Sequence, residues 1–89
     1  MQMSEHEAAR VAQTVRQLLT EHGRLTKDAS ALPGDADLYQ LGLTSHASVN
    51  VMLALEGAFD IEFPDYMLTR GMFASIDALG SAVSTLLPG

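Results

Sequence analysis

The chain has 89 residues, of which 47% are apolar, and it has no cysteine and a net charge of −6. This length predicts one domain over residues 1–89, and the lack of cysteine excludes disulfides and thiolate metal sites. The net negative charge disfavours nucleic-acid binding. No stretch is apolar enough to span a bilayer, and the N-terminus lacks a signal-peptide pattern. We therefore expect a cytoplasmic protein without a membrane partner.

A first helix is predicted from Glu5 to His22. Ser4 followed by Glu7 forms a capping-box pattern, and Gly23 supplies a stop. Between these signals, apolar residues recur with helical spacing at Ala8, Val11, Val15 and Leu18.

Residues 24–43 form a long connection that is too apolar for a flexible linker. We expect its leucines, Leu25, Leu32, Leu38 and Leu41, to lie against the core. Asp37–Leu41 favours one short turn, which Gly42 ends.

A second helix is predicted from Ser45 to Phe59. A helical wheel places Ser48, Met52, Leu55 and Phe59 on a core face, with Val51 and Ala58 beside it. The opposite stripe carries His46, Asn50, Leu53 and Gly57. This stripe has no charge and one large apolar side chain, which is typical of a docking surface.

Two further helical segments follow. Pro64-Asp65 opens a short one around Tyr66–Thr69, which Gly71 ends, and Ser75 caps a last helix that stops at Pro88-Gly89. The last helix places Ile76, Leu79, Val83 and Leu86 on one face. The sequence therefore predicts an all-α, four-helix bundle with three longer helices, one short helix and a long first loop.

Ser45 has two physical interpretations. A serine at a helix start is most often an N-cap, worth about 1 kcal/mol. The same position also favours an attached phosphate, because the first amides of the helix and the positive end of its dipole are nearby. If Thr44 is the cap, the Ser45 oxygen is free to act as a nucleophile in another protein's active site.

The run Leu41–Val49, Leu-Gly-Leu-Thr-Ser-His-Ala-Ser-Val, resembles the acyl carrier protein family. With Phe63-Pro64-Asp65 and Phe73–Ile76 downstream, the chain looks most like the small free-standing aminoacyl carrier proteins. The resemblance implies that Ser45 receives a 4'-phosphopantetheine arm from coenzyme A through a phosphopantetheinyl transferase. It also implies that an ATP-dependent amino acid:carrier protein ligase, related to seryl-tRNA synthetases, loads an amino acid as a thioester.

The resemblance implies that the chain is a carrier and not an enzyme, and we expect a monomer. Partner contacts are predicted at Thr44, His46, Ala47, Asn50, Leu53 and Gly57. The residues that flank Ser45 differ from the Asp-Ser-Leu motif common in the family, so we expect docking to differ from that of fatty-acid carriers. Seven acids between residues 28 and 69, including Asp35, Asp37 and Glu56, either steer basic partners or form a solvated surface.

Three alternatives stay open at this point. A fatty acyl or polyketide-type carrier would share the arm but not the cargo, and a helical adaptor would bind a protein without modification. An independent enzyme would need a catalytic constellation. Ser45 and His46 do not supply one, because adjacent helical residues point about 100° apart, and the histidines lack metal-ligand spacing.

Overall fold

Three α-helices form the framework of residues 5–88, the part of the chain that this computed structural model describes. They are α1 (Glu5–His22), α2 (Ser45–Phe59) and α3 (Ile76–Leu86), and three short 3-10 helices span Ala29–Ala31, Asp65–Met67 and Arg70–Phe73. Helix α1 packs against both α2 and α3. Within residues 5–88 there is no strand, so the all-α prediction is confirmed, as are the predicted bounds of α1 and α2.

Helix α1 contributes the stripe Val11, Val15 and Leu19 to the core. Of the other apolar residues that share the helical spacing, Leu18 is half-buried and packs on the core, and Ala8 is exposed. The predicted capping residue Ser4 lies outside the described residues. At the other end of the helix, the Gly23 amide donates a 2.8 Å hydrogen bond to the Leu19 carbonyl oxygen. A β-carbon at position 23 would lie only 2.7 Å from that oxygen, which explains the need for glycine there.

The long connection between α1 and α2 lies against the helices, as predicted. Leu38 is fully buried, and Leu25 and Leu32 pack on the core, whereas Leu41 is half-buried and lies outside the core cluster. The guanidinium group of Arg16 donates hydrogen bonds to the carbonyl oxygens of Ala29, at 2.9 Å, and Leu32. A single α1 side chain thereby fixes the first half of the connection.

Asp28 starts the 3-10 helix of this connection. Its carboxylate accepts hydrogen bonds from the Ser30 amide at 2.9 Å and from the Thr20 hydroxyl at 3.2 Å. These bonds, chiefly the one from the Ser30 amide, hold the pKa of Asp28 below its ordinary value.

A short helical segment begins at Asp65 after Pro64, as predicted, but it is a 3-10 helix over Asp65–Met67. A second 3-10 helix spans Arg70–Phe73, so the prediction that Gly71 ends the segment was wrong. Thr69 has extended backbone angles (φ −115°, ψ 163°), which interrupt any continuous helix at this residue. Its hydroxyl oxygen then accepts a hydrogen bond from the Met72 amide and starts a second turn, in which Gly71 is an interior residue.

Helix α3 begins as predicted, because the Ser75 hydroxyl oxygen accepts a 3.0 Å hydrogen bond from the Ala78 amide. Ile76, Leu79 and Val83 are buried on its inner face, and Leu86 is half-buried. None of the helices described within residues 5–88 is long and apolar enough to cross a membrane.

Candidate functional site

The chain enters α2 through a turn that the sequence specifies at Gly42. Gly42 has φ +102°, a conformation that residues with a β-carbon rarely adopt. Its amide donates to the Tyr39 carbonyl oxygen, and the Leu43 amide donates to the Leu38 carbonyl oxygen. Leu43 itself is buried in the core. The turn is therefore anchored on the core side, and the next two residues, Thr44 and Ser45, lie exposed at the start of α2.

Thr44, not Ser45, caps α2. The Thr44 hydroxyl oxygen accepts a 3.0 Å hydrogen bond from the Ala47 amide, and Ser45 is the first helical residue. The interpretation of Ser45 as an N-cap was therefore wrong, and the alternative in which Thr44 caps the helix is confirmed. The exposed Ser45 hydroxyl makes no hydrogen bond with any of residues 5–88, so it is open to reaction.

Ser48 lies one turn further along α2 but differs from Ser45 in its exposure and in the hydrogen bonding of its hydroxyl. It is only 8% exposed, and its hydroxyl donates a 2.8 Å hydrogen bond to the Thr44 carbonyl oxygen. Of these two neighbouring serines, only Ser45 presents a free hydroxyl to an approaching enzyme. The amino-terminal end of α2 also favours negative charge at this position.

Ser45 lies at one wall of an open groove of about 350 Å³. Helix α2 lines the groove with Ser45, Val49 and Met52, and the segment before α3 lines it with Leu68, Arg70 and Phe73. Met52, which was predicted on the core face of α2, is half-buried and packs on the core, and it also lines the groove.

Arg70 is a groove residue that the sequence analysis missed. Its guanidinium group stacks over the Tyr39 ring, 3.8 Å from the ring centroid, and the Tyr39 hydroxyl donates a 2.8 Å hydrogen bond to the Arg70 carbonyl oxygen. One sequence signal was available, since Arg70 is the only Lys or Arg after Lys27.

The outward face of α2 carries exposed side chains, as predicted for His46, Asn50 and Leu53, and the backbone of Gly57 is exposed beside them. Leu53 is 56% exposed, and Val49, which the sequence analysis did not select, is 51% exposed. At Gly57 an added β-carbon would meet nothing within 4 Å. These residues form an uncharged surface that extends from Ser45 along the helix.

Ala47 corrects the predicted set of partner-binding residues. It is 2% exposed and belongs to the core, so its side chain is not available to a partner. Ala47 lies four residues before Val51, on the same side of the helix, and Val51 is fully buried. Thr44 remains exposed, but its hydroxyl oxygen is engaged in the cap.

Two of the acids considered for partner recruitment hold local structure. The Asp37 carboxylate accepts a 3.0 Å hydrogen bond from the Tyr39 amide, and the half-buried Glu56 carboxylate accepts one of 2.8 Å from the Phe63 amide. The Glu56 contact ties the end of α2 to the segment that follows it. Asp35 is exposed.

The helical bundle and the free serine hydroxyl at the start of α2 agree with the resemblance of the sequence to carrier proteins. A family model described as "Phosphopantetheine attachment site" matches residues 9–83. The aminoacyl carrier protein of Agrobacterium fabrum is 47% identical over 76 residues, which cover 85% of this chain and 92% of that protein. Aminoacyl carrier protein 1 of Bradyrhizobium diazoefficiens is 35% identical over 78 residues, with 88% and 82% covered.

A solved structure of a carrier protein is also similar to this chain. It is the crystal structure of an engineered Bradyrhizobium japonicum glycine:[carrier protein] ligase complexed with carrier protein from Agrobacterium tumefaciens and ATP. The matching chain is 45% identical with a TM-score of 0.81, and the match covers 85% of this chain and 99% of that one. The chain therefore belongs to the phosphopantetheine attachment family and, within it, to the aminoacyl carrier proteins.

Proposed function

We propose that Ser45 carries a covalent 4'-phosphopantetheine arm and that the protein, over residues 1–89, holds an activated amino acid as a thioester on that arm. The observation that carries the proposal is the Ser45 hydroxyl, which is exposed and relieved of capping by Thr44. The family match over residues 9–83 and the aminoacyl carrier relatives support it.

The residues at the start of α2 fit the arm. Ser45 would supply the oxygen of the phosphodiester bond and lose its proton, while the P–O bond in the diphosphate of coenzyme A breaks and adenosine 3',5'-bisphosphate leaves. The positive end of α2 favours the resulting negative charge beside it. The attached group supplies the thiol that forms the thioester, which this cysteine-free chain does not have.

Two partner enzymes follow from this proposal. A phosphopantetheinyl transferase would attach the arm from coenzyme A, and an ATP-dependent amino acid:carrier protein ligase would load the amino acid. The ligase complex of the Agrobacterium tumefaciens carrier supports the second partner. Since coenzyme A and ATP are supplied inside the cell, the cytoplasm is the proposed location.

The uncharged outward face of α2 is the proposed ligase contact. It presents Leu53 and His46 close to Ser45 on one helix, so a partner that binds this face has the modified position beside it. An amino acid cargo would stay outside the bundle, because its charged amine would be costly to bury without a partner.

The test of attachment is the intact mass of the protein after incubation with coenzyme A and a broad-specificity phosphopantetheinyl transferase. The native chain is expected to gain one phosphopantetheinyl group, and Ser45→Ala is expected to gain none. Ser81→Ala, at an exposed serine of α3, is the matched control and should be modified fully. Modification of Ser45→Ala, or no gain in the native chain with several active transferases, would contradict the proposal.

Cargo is tested on the modified protein with ATP, labelled glycine and a glycine:carrier protein ligase. We expect the label to become protein-bound and to be released by neutral hydroxylamine, as a thioester is. A modified protein that accepts fatty acyl groups from an acyl-loading enzyme, but no amino acid from several ligases, would instead identify a fatty acyl or polyketide-type carrier.

A further inference from the structure

Arg70 is an isolated positive charge in an acidic part of the chain. Residues 28–69 contain seven acids and no Lys or Arg, and Arg70 is the only basic residue of either type after Lys27. Its guanidinium group nevertheless has a defined position, because it stacks on Tyr39 at 3.8 Å from the ring centroid. The Tyr39 hydroxyl also holds the Arg70 backbone through a 2.8 Å hydrogen bond to its carbonyl oxygen.

The Arg70 side chain is exposed and has no hydrogen-bond partner among residues 5–88. Stacking on an aromatic ring engages the face of the guanidinium plane and leaves the in-plane N–H groups free to donate. Among residues 5–88, no carboxylate forms an ion pair with Arg70 and no acceptor takes a hydrogen bond from its side chain. A planar, stacked guanidinium group with free donors is suited to bind a phosphate through two parallel hydrogen bonds.

Arg70 lines the same groove as Ser45, so the phosphate nearest to it would be the one attached to Ser45. Both residues line the same groove of about 350 Å³, Ser45 from the start of α2 and Arg70 from the 3-10 helix Arg70–Phe73. An arm on Ser45 would place a phosphodiester directly at this serine oxygen. We propose that Arg70, oriented by Tyr39, binds the phosphodiester of the arm and directs the first part of the arm into the groove.

This inference rests on the proposed function, and it adds a positioning residue for the arm. If the arm starts in the groove, the outward stripe of α2 that carries His46 and Leu53 stays uncovered for a partner protein. Val49 and Leu68, which are exposed and line the groove, offer apolar surface to the part of the arm beyond the phosphate.

The experiment is phosphorus-31 NMR of the modified protein, whose arm contains its single phosphorus atom. Samples of native protein, Arg70→Met, Arg70→Lys and Arg10→Met are modified with coenzyme A, and modification is verified by intact mass. Arg10→Met is the matched control, because it removes the same charge from an exposed position on α1, away from the groove. The urea-unfolded protein gives the reference resonance of an unbound phosphodiester.

The native resonance is expected to differ from the unfolded reference, and Arg70→Met is expected to abolish that difference. Arg10→Met should leave the native shift unchanged. Arg70→Lys keeps the charge but not the planar pair of donors, so it should retain only part of the shift. For the native protein, the shift should shrink between about 0.1 M and 1 M salt, where the screening length falls from about 10 Å to 3 Å.

Each contrary result has a distinct meaning. A modified native protein whose resonance is unaffected by Arg70→Met and by salt overturns the phosphate contact and leaves the proposed function standing. If Arg70→Met weakens ligase binding while the phosphorus resonance stays native, Arg70 contacts the partner and the inference is wrong. Failure of the native chain to take up the arm overturns the proposed function and this inference with it.

Discussion

The division of roles between Thr44 and Ser45 predicts opposite outcomes for two adjacent alanine substitutions. The Thr44 hydroxyl oxygen accepts the Ala47 amide at 3.0 Å, so Thr44→Ala leaves one amide of the first helical turn without its partner. Loss of such a cap costs about 1 kcal/mol, within a range of about 0.5–2 kcal/mol. The Ser45 hydroxyl makes no hydrogen bond with residues 5–88, so Ser45→Ala should change the free energy of unfolding by less than about 0.5 kcal/mol.

The assay is urea unfolding of the unmodified protein, followed by circular dichroism. Since each kcal/mol shifts the melting temperature of a domain of this size by about 4–8 °C, thermal unfolding gives a second reading. Thr44→Ser, which retains the hydroxyl oxygen, should recover most of the loss. Both alanine variants should have the same m-value, because neither substitution changes the surface exposed on unfolding.

One pattern would refute this reasoning. If Ser45→Ala destabilises the protein as much as Thr44→Ala does, Ser45 takes part in the cap and its hydroxyl is not free for modification. Equal stability of Thr44→Ala and the native chain would show that the 3.0 Å contact contributes nothing measurable.

Three further predictions concern the turn, the end of α2 and the docking face. Gly42→Ala should lower the free energy of unfolding by about 1–2 kcal/mol in urea titrations, because φ is +102°; an unchanged midpoint would contradict this. Glu56→Ala removes the charged acceptor of the Phe63 amide and should cost about 1.5–3 kcal/mol in the same assay, and a loss below about 0.5 kcal/mol would show the contact to be dispensable. Leu53→Ala should weaken ligase binding about tenfold by calorimetry, whereas Asp35→Asn should have a small, salt-sensitive effect, and equal losses would contradict the uncharged interface.

The helix ends were predictable because they depend on local signals. Ser75 caps α3 through the Ala78 amide three residues later, and Thr44 caps α2 through the Ala47 amide at the same spacing. Such contacts are encoded within one turn of sequence. Whether Thr44 or Ser45 is the N-cap was left open, because either hydroxyl could accept the hydrogen bond. The choice depends on the Gly42 turn, which sets where the helix begins.

The sequence predicted where the helices occur better than it predicted which of their residues are buried. A helical wheel shows which residues share a face of a helix. It does not show whether an alanine such as Ala8 or Ala47 is buried, because alanine is small enough for either face and tertiary packing decides its burial. Ala47 is buried and Ala8 is exposed. Phe59 was predicted within the core face of α2 and is half-buried at its edge.

The Tyr39–Arg70 pair could not be predicted from sequence periodicity at all. These residues lie 31 positions apart and meet only because the long connection and the second of the two late 3-10 helices line the same groove. The same applies to Glu56 and the Phe63 amide, whose contact depends on the left-handed conformation at Asp60. The roles of His46, Asn50 and Leu53 in partner binding stay predictions.

The glycine on the exposed side of α2 makes peptide groups part of the outer surface. Position 57 has room for a methyl group, so the free protein gives up about 0.5–1 kcal/mol of helix stability by having glycine there instead of alanine. Without a side chain in the way, an apposed surface can approach the helix axis more closely at this point than beside Leu53. A partner that binds this face can therefore contact the backbone of α2 directly. Reversing charges elsewhere on the acidic protein would not change that contact.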